Sequence, residues 1–288
     1  MTAKIIDGKA IAEKLRSKLR TKVQKITKQD QPRPCLAVIL VGDDFASTVY
    51  VRNKLQACQE VGIESKSYKL SRSTSQKTLI SLIQALNKNK RVHGILLQLP
   101  LPKHIQTDEV LEHIHPLKDV DGFHSLNMGR LAQFRPQLQP CTPYGVMRLL
   151  GHIKQKFPGK EAVIVGASNI VGKPMALELL AQGCTVTICH RLSQNLQQHI
   201  ARADILVSAV GKPGFIKGSW IKKGATVIDV GITRLPNGKL SGDIDFNAAI
   251  KRAKWITPVP GGVGPMTVAI LLENTVKAQG LQGKEIAT

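Results

Sequence analysis

Several places in the sequence combine residue types that could do chemistry. Tyr50 and Lys54 stand four apart in a helical stretch, so a phenol and an ammonium share one face. So placed they can line a cleft beside a sheet; an exposed tyrosine and a solvated lysine would show the same spacing. Gln98 follows a short apolar run at 94–97 and precedes Pro100 and Pro102. An amide there sits just past the carboxyl end of a strand, where open α/β sheets place ligands. Asp119-Val120-Asp121-Gly122 is an acidic loop in a basic protein. Either carboxylate could accept two N–H donors from a heterocycle or bind a metal. No second cluster of ligand spacing adjoins it, so no metal is expected. His113 and His115 nearby read as surface or helix-end residues rather than ligands.

The second half carries a different kind of signal. Val163-Ile-Val-Gly166-Ala-Ser-Asn-Ile-Val-Gly172-Lys-Pro174 runs from an apolar strand through a glycine turn into a helix. That form suits a dinucleotide phosphate, since helix N-terminal N–H groups point at the anion. The spacing departs from the common Gly-x-Gly-x-x-Gly pattern, because Ser168 and Val171 replace its later glycines. A tight turn that binds nothing has the same outline, but strand-like runs at 185–189, 204–210 and 226–230 supply the context. About twenty residues on, His190-Arg191 stands where an acid would hold a ribose 2′-OH. A cation suits a 2′-phosphate instead, which favours NADP over NAD. Thr257-Pro-Val-Pro260-Gly-Gly-Val-Gly264-Pro-Met-Thr267 is a closely shaped loop that opens a helix and can bring backbone near a ligand.

These residues need elements to position them. Ile11, Leu15, Leu19 and Val23 mark an amphipathic helix over 8–26. A buried strand over 35–41 follows, then a helix over 46–61 stopped by Gly62, a strand at 65–70, a helix at 76–87 and a strand at 94–97. The order βαβαβ predicts an α/β layer with a largely parallel sheet. Residues 116–142 read as mostly irregular, and Pro143 as the first residue of a helix to about 154. A second α/β unit runs from the strand at 162–165 to a last strand at 254–257. A closing helix is expected over 266–278. The change of unit falls within 120–145.

The totals set bounds. The chain of 288 residues has a formal charge of +21, 42% hydrophobic and 4% aromatic residues. No apolar run nears the ~20 residues a membrane helix needs, and residues 1–9 lack the apolar core of a signal peptide. The five cysteines are odd in number and scattered, which fits a reducing, cytoplasmic compartment. The charge favours anionic partners, yet so few aromatics argue against a stacking platform for nucleic acid.

In these motifs the chain resembles the bifunctional methylenetetrahydrofolate dehydrogenase/methenyltetrahydrofolate cyclohydrolases. The resemblance rests on Tyr50-x-x-x-Lys54, Gly94-Ile-Leu-Leu-Gln98-Leu-Pro-Leu-Pro102, Asp119-Val-Asp121-Gly122, Pro140-Cys-Thr-Pro143, Gly166-x-Ser168-x-x-Val171-Gly172-x-Pro174, Val227-Ile-Asp-Val-Gly-Ile232 and the 257–267 loop, in that order. Tyr-x-x-x-Lys also occurs in short-chain dehydrogenases, but there it follows the glycine turn, whereas here it precedes it by more than a hundred residues. The resemblance implies two α/β domains, the second Rossmann-like, with a folate site in a cleft between them. It implies a catalytic domain of residues 1–140 plus 266–288 and an NADP domain of 141–265. It also implies a homodimer, and a place in purine, methionine and histidine biosynthesis.

The same resemblance implies the roles. Lys54 would manage protons in the water-adding step, Gln98 would orient it, Tyr50 would stack on the aminobenzoate ring, and Asp121 would fix the pterin. Gly166, Ala167 and Ser168 would line the phosphates, Arg191 would meet the 2′-phosphate, and Ile232 backbone would lie by the nicotinamide. Pro260, Gly261, Gly262 and Gly264 would border the folate. Many members carry arginine where this chain has Ala167, and read Cys-His-Ser-Arg-Thr where it reads Cys189-His-Arg-Leu-Ser193. A cation is lost at 167 and one gained at 191, so Arg191 is expected to take over the 2′-phosphate contact. Polyglutamylated folates would suit the basic surface. A dehydrogenase without hydrolase activity would have lost Lys54 or Gln98, and neither is lost.

Overall fold

Short apolar runs flanked by turn residues become strands buried on both faces, and the intervening helices cover them. The computed structural model describes residues 2–29 and 31–285. In chain order β1 (Lys4–Ile5) and α1 (Gly8–Lys28) lead to β2 (Cys35–Val41), α2 (Phe45–Val61), β3 (Glu64–Leu70), α3 (Gln76–Lys88) and β4 (Gly94–Leu97). Helices α4 (Thr107–Glu112), α5 (Ser125–Ala132) and α6 (Cys141–His152) follow. Then come β5 (Glu161–Val165), α7 (Gly172–Ala181), β6 (Thr185–Cys189), α8 (Leu196–Arg202), β7 (Ile205–Ser208) and β8 (Thr226–Asp229). A small hairpin of β9 (Thr233–Arg234) and β10 (Leu240–Ser241), α9 (Phe246–Ala249), β11 (Trp255–Ile256) and α10 (Val263–Glu285) complete the chain. The described residues divide into two units, 14–141 with 268–285 and 2–13 with 142–267.

In the first unit three parallel strands lie in the order β3-β2-β4. Every residue of the central strand β2 is buried. Its Ala37 and Ile39 share a core with Leu79 and Ile83 of α3 and with Ile95 and Leu97 of β4. The loop after α4 is held by a buried cation. Lys118 is only 6% exposed, and its Nζ donates to the carbonyls of Leu86, Asn87 and Asn89 at 3.1, 2.7 and 2.9 Å. These carbonyls end α3, so one ammonium closes the helix and anchors the acidic loop that follows it. Burial pulls the Lys118 ammonium below its usual range.

The second unit is a six-stranded sheet in the order β1-β11-β8-β7-β5-β6, with every pairing parallel. The chain leaves β5 towards β6 on one side and returns to β7 on the other. The gap between the ends of β5 and β7 is therefore the switch point of a doubly wound sheet.

Five expectations change. Residues 2–13 group with the dinucleotide-type unit and not with residues 14–141, because Lys4 and Ile5 pair with Trp255 and Ile256. Residues 116–142 are less irregular than their prolines suggest: α5 forms there, its first turn capped by His124 Nδ1, which accepts from Leu126 N at 3.0 Å. Three helices begin earlier than their patterns predict: α7 at Gly172, where the apolar pattern predicts Met175–Ala181, α10 at Val263 and α6 at Cys141. In all three, proline is the third helical residue. The N–H groups of a first turn have no helical partner, so proline there costs no hydrogen bond.

Replacing Lys118 by methionine keeps the stem but leaves three buried carbonyls without their donor. We expect Lys118→Met to lose about 2–4 kcal/mol of stability in urea unfolding. An unchanged midpoint would mean that water satisfies those carbonyls.

Candidate active site

Helix α2 starts at an Asp44 cap, whose carboxylate accepts from Ser47 N at 2.8 Å, and stops at Gly62 with φ +87. Val51 and Cys58 turn inward, which leaves Lys54 half-buried and Tyr50 40% exposed. Partial burial pushes the Tyr50 phenol above its usual range. Gln98 leaves β4 with its N–H on the Ile39 carbonyl at 2.9 Å. Its side-chain Nε2 donates to the Leu99 carbonyl at 2.7 Å, which turns Oε1 towards Lys54 Nζ, 3.0 Å away. The amide thus has one orientation and presents an acceptor to the amine.

The acidic loop separates its two carboxylates. Asp119 is buried and accepts from Gly122 N (3.1 Å), His124 N (2.9 Å) and Asn127 Nδ2 (2.9 Å). Its oxygens are occupied by the loop itself, so its role is structural. Asp121 is half-buried, and the Lys54 charge acts on its carboxyl. Burial raises the Asp121 carboxyl; the Lys54 ammonium lowers it and Asp119 raises it further. Cys141 is buried beside Asp121, and its thiol is pushed well up, first by burial and then by that carboxylate. Lys54, Gln98 and Asp121 therefore form one group.

Two supports of this group receive no role from the sequence, although Cys141 lies in the Pro140-Cys-Thr-Pro143 motif. Cys141 Sγ donates to the Val120 carbonyl at 3.2 Å, and Asn274 Nδ2 of α10 donates to the same carbonyl at 2.8 Å and to that of Gln139 at 2.9 Å. Val120 is thus pinned between the two aspartates. Asn274 is 3% exposed between the buried Leu272 and Val276. A polar residue on an apolar helix face was the available clue. His113 and His115 mark the end of α4, where the His113 carbonyl and His115 N–H both bond to Asn87. Among the described residues no group of three His, Cys, Asp or Glu could hold a metal ion.

In the second unit Gly166 turns at φ +121, directly after β5. A side chain there would collide with the Ala209 carbonyl, and one at Gly172 with the Gly166 carbonyl and Ala167. The turn and the start of α7 are therefore in close backbone contact at the switch point. Ser168 Oγ accepts from Val171 N and Gly172 N at 3.2 and 3.4 Å, so its own hydroxyl proton remains to be given to an anion. Arg191 is exposed in the turn after β6 and makes no hydrogen bond or ion pair with the described residues. Ile232 follows β8 and is 42% exposed. Close backbone, a free hydroxyl proton and a free guanidinium fit a phosphorylated dinucleotide. The 257–264 loop is fitted as closely. A side chain on Gly8 would strike the Gly262 carbonyl, Lys9 N donates to Gly261 O at 2.9 Å, and Gly261 has φ +102.

Comparison with known proteins agrees with both halves. Residues 6–121 match the tetrahydrofolate dehydrogenase/cyclohydrolase catalytic-domain family, and residues 140–282 match its NAD(P)-binding domain. A bifunctional methylenetetrahydrofolate dehydrogenase/cyclohydrolase from Campylobacter jejuni is 48% identical over 97% of this chain and 99% of its own, with a TM-score of 0.95. The enzyme of Trypanosoma brucei, solved with NADP and an inhibitor, is 37% identical over 98% and 99%, also at 0.95. That of Thermoplasma acidophilum is 34% identical over 98% and 100%, at 0.91.

The exposed guanidinium gives a direct expectation. Arg191→Ala should lower the preference for NADP over NAD in kcat/KM by about tenfold or more, as one charge-assisted contact of about 1.5–3 kcal/mol is lost. A ratio equal to wild type would show that the 2′-phosphate is held elsewhere.

Proposed function

The chain belongs to the tetrahydrofolate dehydrogenase/cyclohydrolase family, and on that premise we propose how its residues divide the work. It is a bifunctional enzyme: it oxidises 5,10-methylenetetrahydrofolate with NADP and hydrolyses the 5,10-methenyl product to 10-formyltetrahydrofolate. NADP, when bound, takes up the hydride given by the one-carbon bridge.

Water adds to the methenyl carbon, a proton leaves, and the bond from that carbon to N5 breaks as N5 is protonated. Lys54 Nζ moves these protons. Gln98 Oε1 fixes where the amine stands, and the observation that carries the proposal is their 3.0 Å hydrogen bond beside Asp121. Asp121, with its partner Asp119 already occupied, is the carboxylate left to take two N–H donors from the pterin edge. Tyr50, one turn before Lys54 and exposed on one side, offers its ring for stacking on the aminobenzoate. Pro260, Gly261, Gly262 and Gly264 border the folate. Gly166, Ala167, Ser168 and Arg191 hold the phosphates of NADP, and Ile232 backbone meets its nicotinamide.

The finer assignments belong to the same proposal. The formal charge of +21 would draw polyglutamylated folates. All five cysteines are buried and unpaired, which supports a reducing compartment such as the cytoplasm. No described helix is long and apolar enough to cross a membrane. Assembly as a homodimer, and supply of 10-formyl groups to purine, methionine and histidine biosynthesis, are carried over from the resemblance.

The deciding experiment follows both reactions in one preparation of Lys54→Met. Methenyl hydrolysis should fall by about 100-fold or more, the range of general acid–base catalysis, while part of the hydride transfer survives. Equal loss of both would make the lysine a structural residue. Acid should act through Asp121. Its carboxyl is raised, it can accept on both oxygens only when ionised, and protonation replaces one acceptor by a donor. The KM for the folate should therefore rise at a higher pH than the ~4 of an ordinary carboxylate, and Asp121→Asn should abolish that step.

A further inference from the structure

At the carboxyl end of the large sheet two buried aspartates hold one another's loops. Asp229, the last residue of β8, is 5% exposed, and Asp243, two residues after β10, is fully buried. Asp229 accepts from the N–H groups of Gly231, Asp243 and Ile244 at 3.1, 3.0 and 3.0 Å. Asp243 accepts from Ser208 Oγ and Val210 N on one oxygen, at 3.0 and 2.8 Å, and from Lys212 N on the other, at 2.8 Å. The two sites are boxed in by glycines: a side chain at Gly231 would strike the Asp243 carboxylate, and one at Gly242 the Asp229 carboxylate. Asp229 N also donates to Thr257 Oγ1 at 2.8 Å, and a side chain at Gly242 would meet Val259 as well.

The pair thus ties four segments together: the ends of β7 and β8, the strand leaving the small hairpin, and the head of the 257–264 loop. The first two are followed by backbone next to the cofactor turn or assigned to the cofactor. Ala209, next to the tethered Val210, presses on Gly166; Ile232 follows the tethered Gly231. Two carboxylates so close are a poor choice if packing were the only need, because each costs desolvation and they repel. Burial, with Asp243 adding to it, pushes Asp229 up to about 7 even though three N–H groups pull it down. What a carboxylate offers that an apolar residue does not is a fixed acceptor for several loop N–H groups at once.

We propose that Asp229 and Asp243 are positioning residues for the nicotinamide end of NADP, setting the backbone at 209–212 and 230–232 that receives it. The proposal rests on the reading that Ile232 lies at that end. Neither aspartate touches the cofactor; both act through the loops.

The test separates the two ends of the cofactor by equilibrium binding to the full chain. NADP is compared with 2′-phospho-ADP-ribose, the same molecule without nicotinamide. In Asp243→Asn one acceptor oxygen becomes a donor, so either Val210 N or Lys212 N faces an N–H group. The Kd for NADP should rise about tenfold while that for 2′-phospho-ADP-ribose stays as in wild type. Ser208→Ala removes a single donor and should shift NADP alone by a smaller factor; it keeps the test intact should Asp243→Asn fail to fold. Equal weakening of both ligands would reduce the pair to a general support of the unit, and no weakening of either would remove its role. Ile232→Pro tests the underlying reading. If it weakens NADP selectively and Asp243→Asn does not, the pair has no part while Ile232 keeps its place. If neither is selective, the placement of the nicotinamide falls and the proposal with it.

Discussion

A charge taken out of water must find its hydrogen bonds in the protein, and here that demand is met almost wholly by loop backbone. Lys118 is closed by three carbonyls and Asp119 by two N–H groups and an amide. Asp229 and Asp243 take three donors each. Asp229 ends the parallel strand β8, and the other three stand in loops. Strand pairing ends there, and loop N–H and carbonyl groups would otherwise have only water. A buried ion with several partners fixes a loop more tightly than apolar packing can, because each partner must keep both distance and direction. The reactive side chains then stand on backbone that is already in place. Gln98 is tied to Ile39, and Asp121 lies next to the twice-bonded Val120 carbonyl.

This arrangement explains why two neighbouring aspartates in one short loop have different uses. Asp119 lies in register with Ile95 at the edge of the small sheet, where Ile95 N donates to Lys118 O at 2.7 Å. Its side chain turns back onto its own loop. Gly122, at φ +75 against the backbone of Gln139 and Pro140, then reverses the chain, and Asp121 is left facing Lys54. The sequence reading left both carboxylates available. Only the count of occupied oxygens separates them, and that count depends on Asn127 and His124, which no local pattern marks.

What could be read from the sequence follows the range of the forces involved. The runs 35–41 and 94–97 are strands at those bounds, because buried parallel strands are continuous apolar runs whose signal is local. Lys54 and Gln98 could be paired only through family resemblance, since 44 residues separate them. Strand β1 was not legible at all. Two exposed residues form it, and its partner lies some 250 residues away. The hairpin β9–β10 has two residues per strand, too few for an alternation to show. In α6, α7 and α10 proline looks like a helix boundary, yet the third helical position tolerates it. Asp229 and Asp243 lay in plain view within Val227-Ile-Asp-Val-Gly-Ile232 and Gly242-Asp243, but their meaning depends on facing one another across 14 residues.

The two phosphate-side departures can be read in the same physical terms. An arginine at position 167 would place its charge within the turn, next to the N–H groups of α7. Ala167 leaves that work to the helix start and the Ser168 hydroxyl, whose lone pairs already cap Val171 and Gly172. Arg191 is exposed in the turn after β6, where it is proposed to meet the 2′-phosphate. A charge at the bridging phosphates would strengthen any dinucleotide equally. A charge at the ribose 2′ position strengthens only the phosphorylated one. On the proposed reading, an arginine at 191 converts binding energy into discrimination.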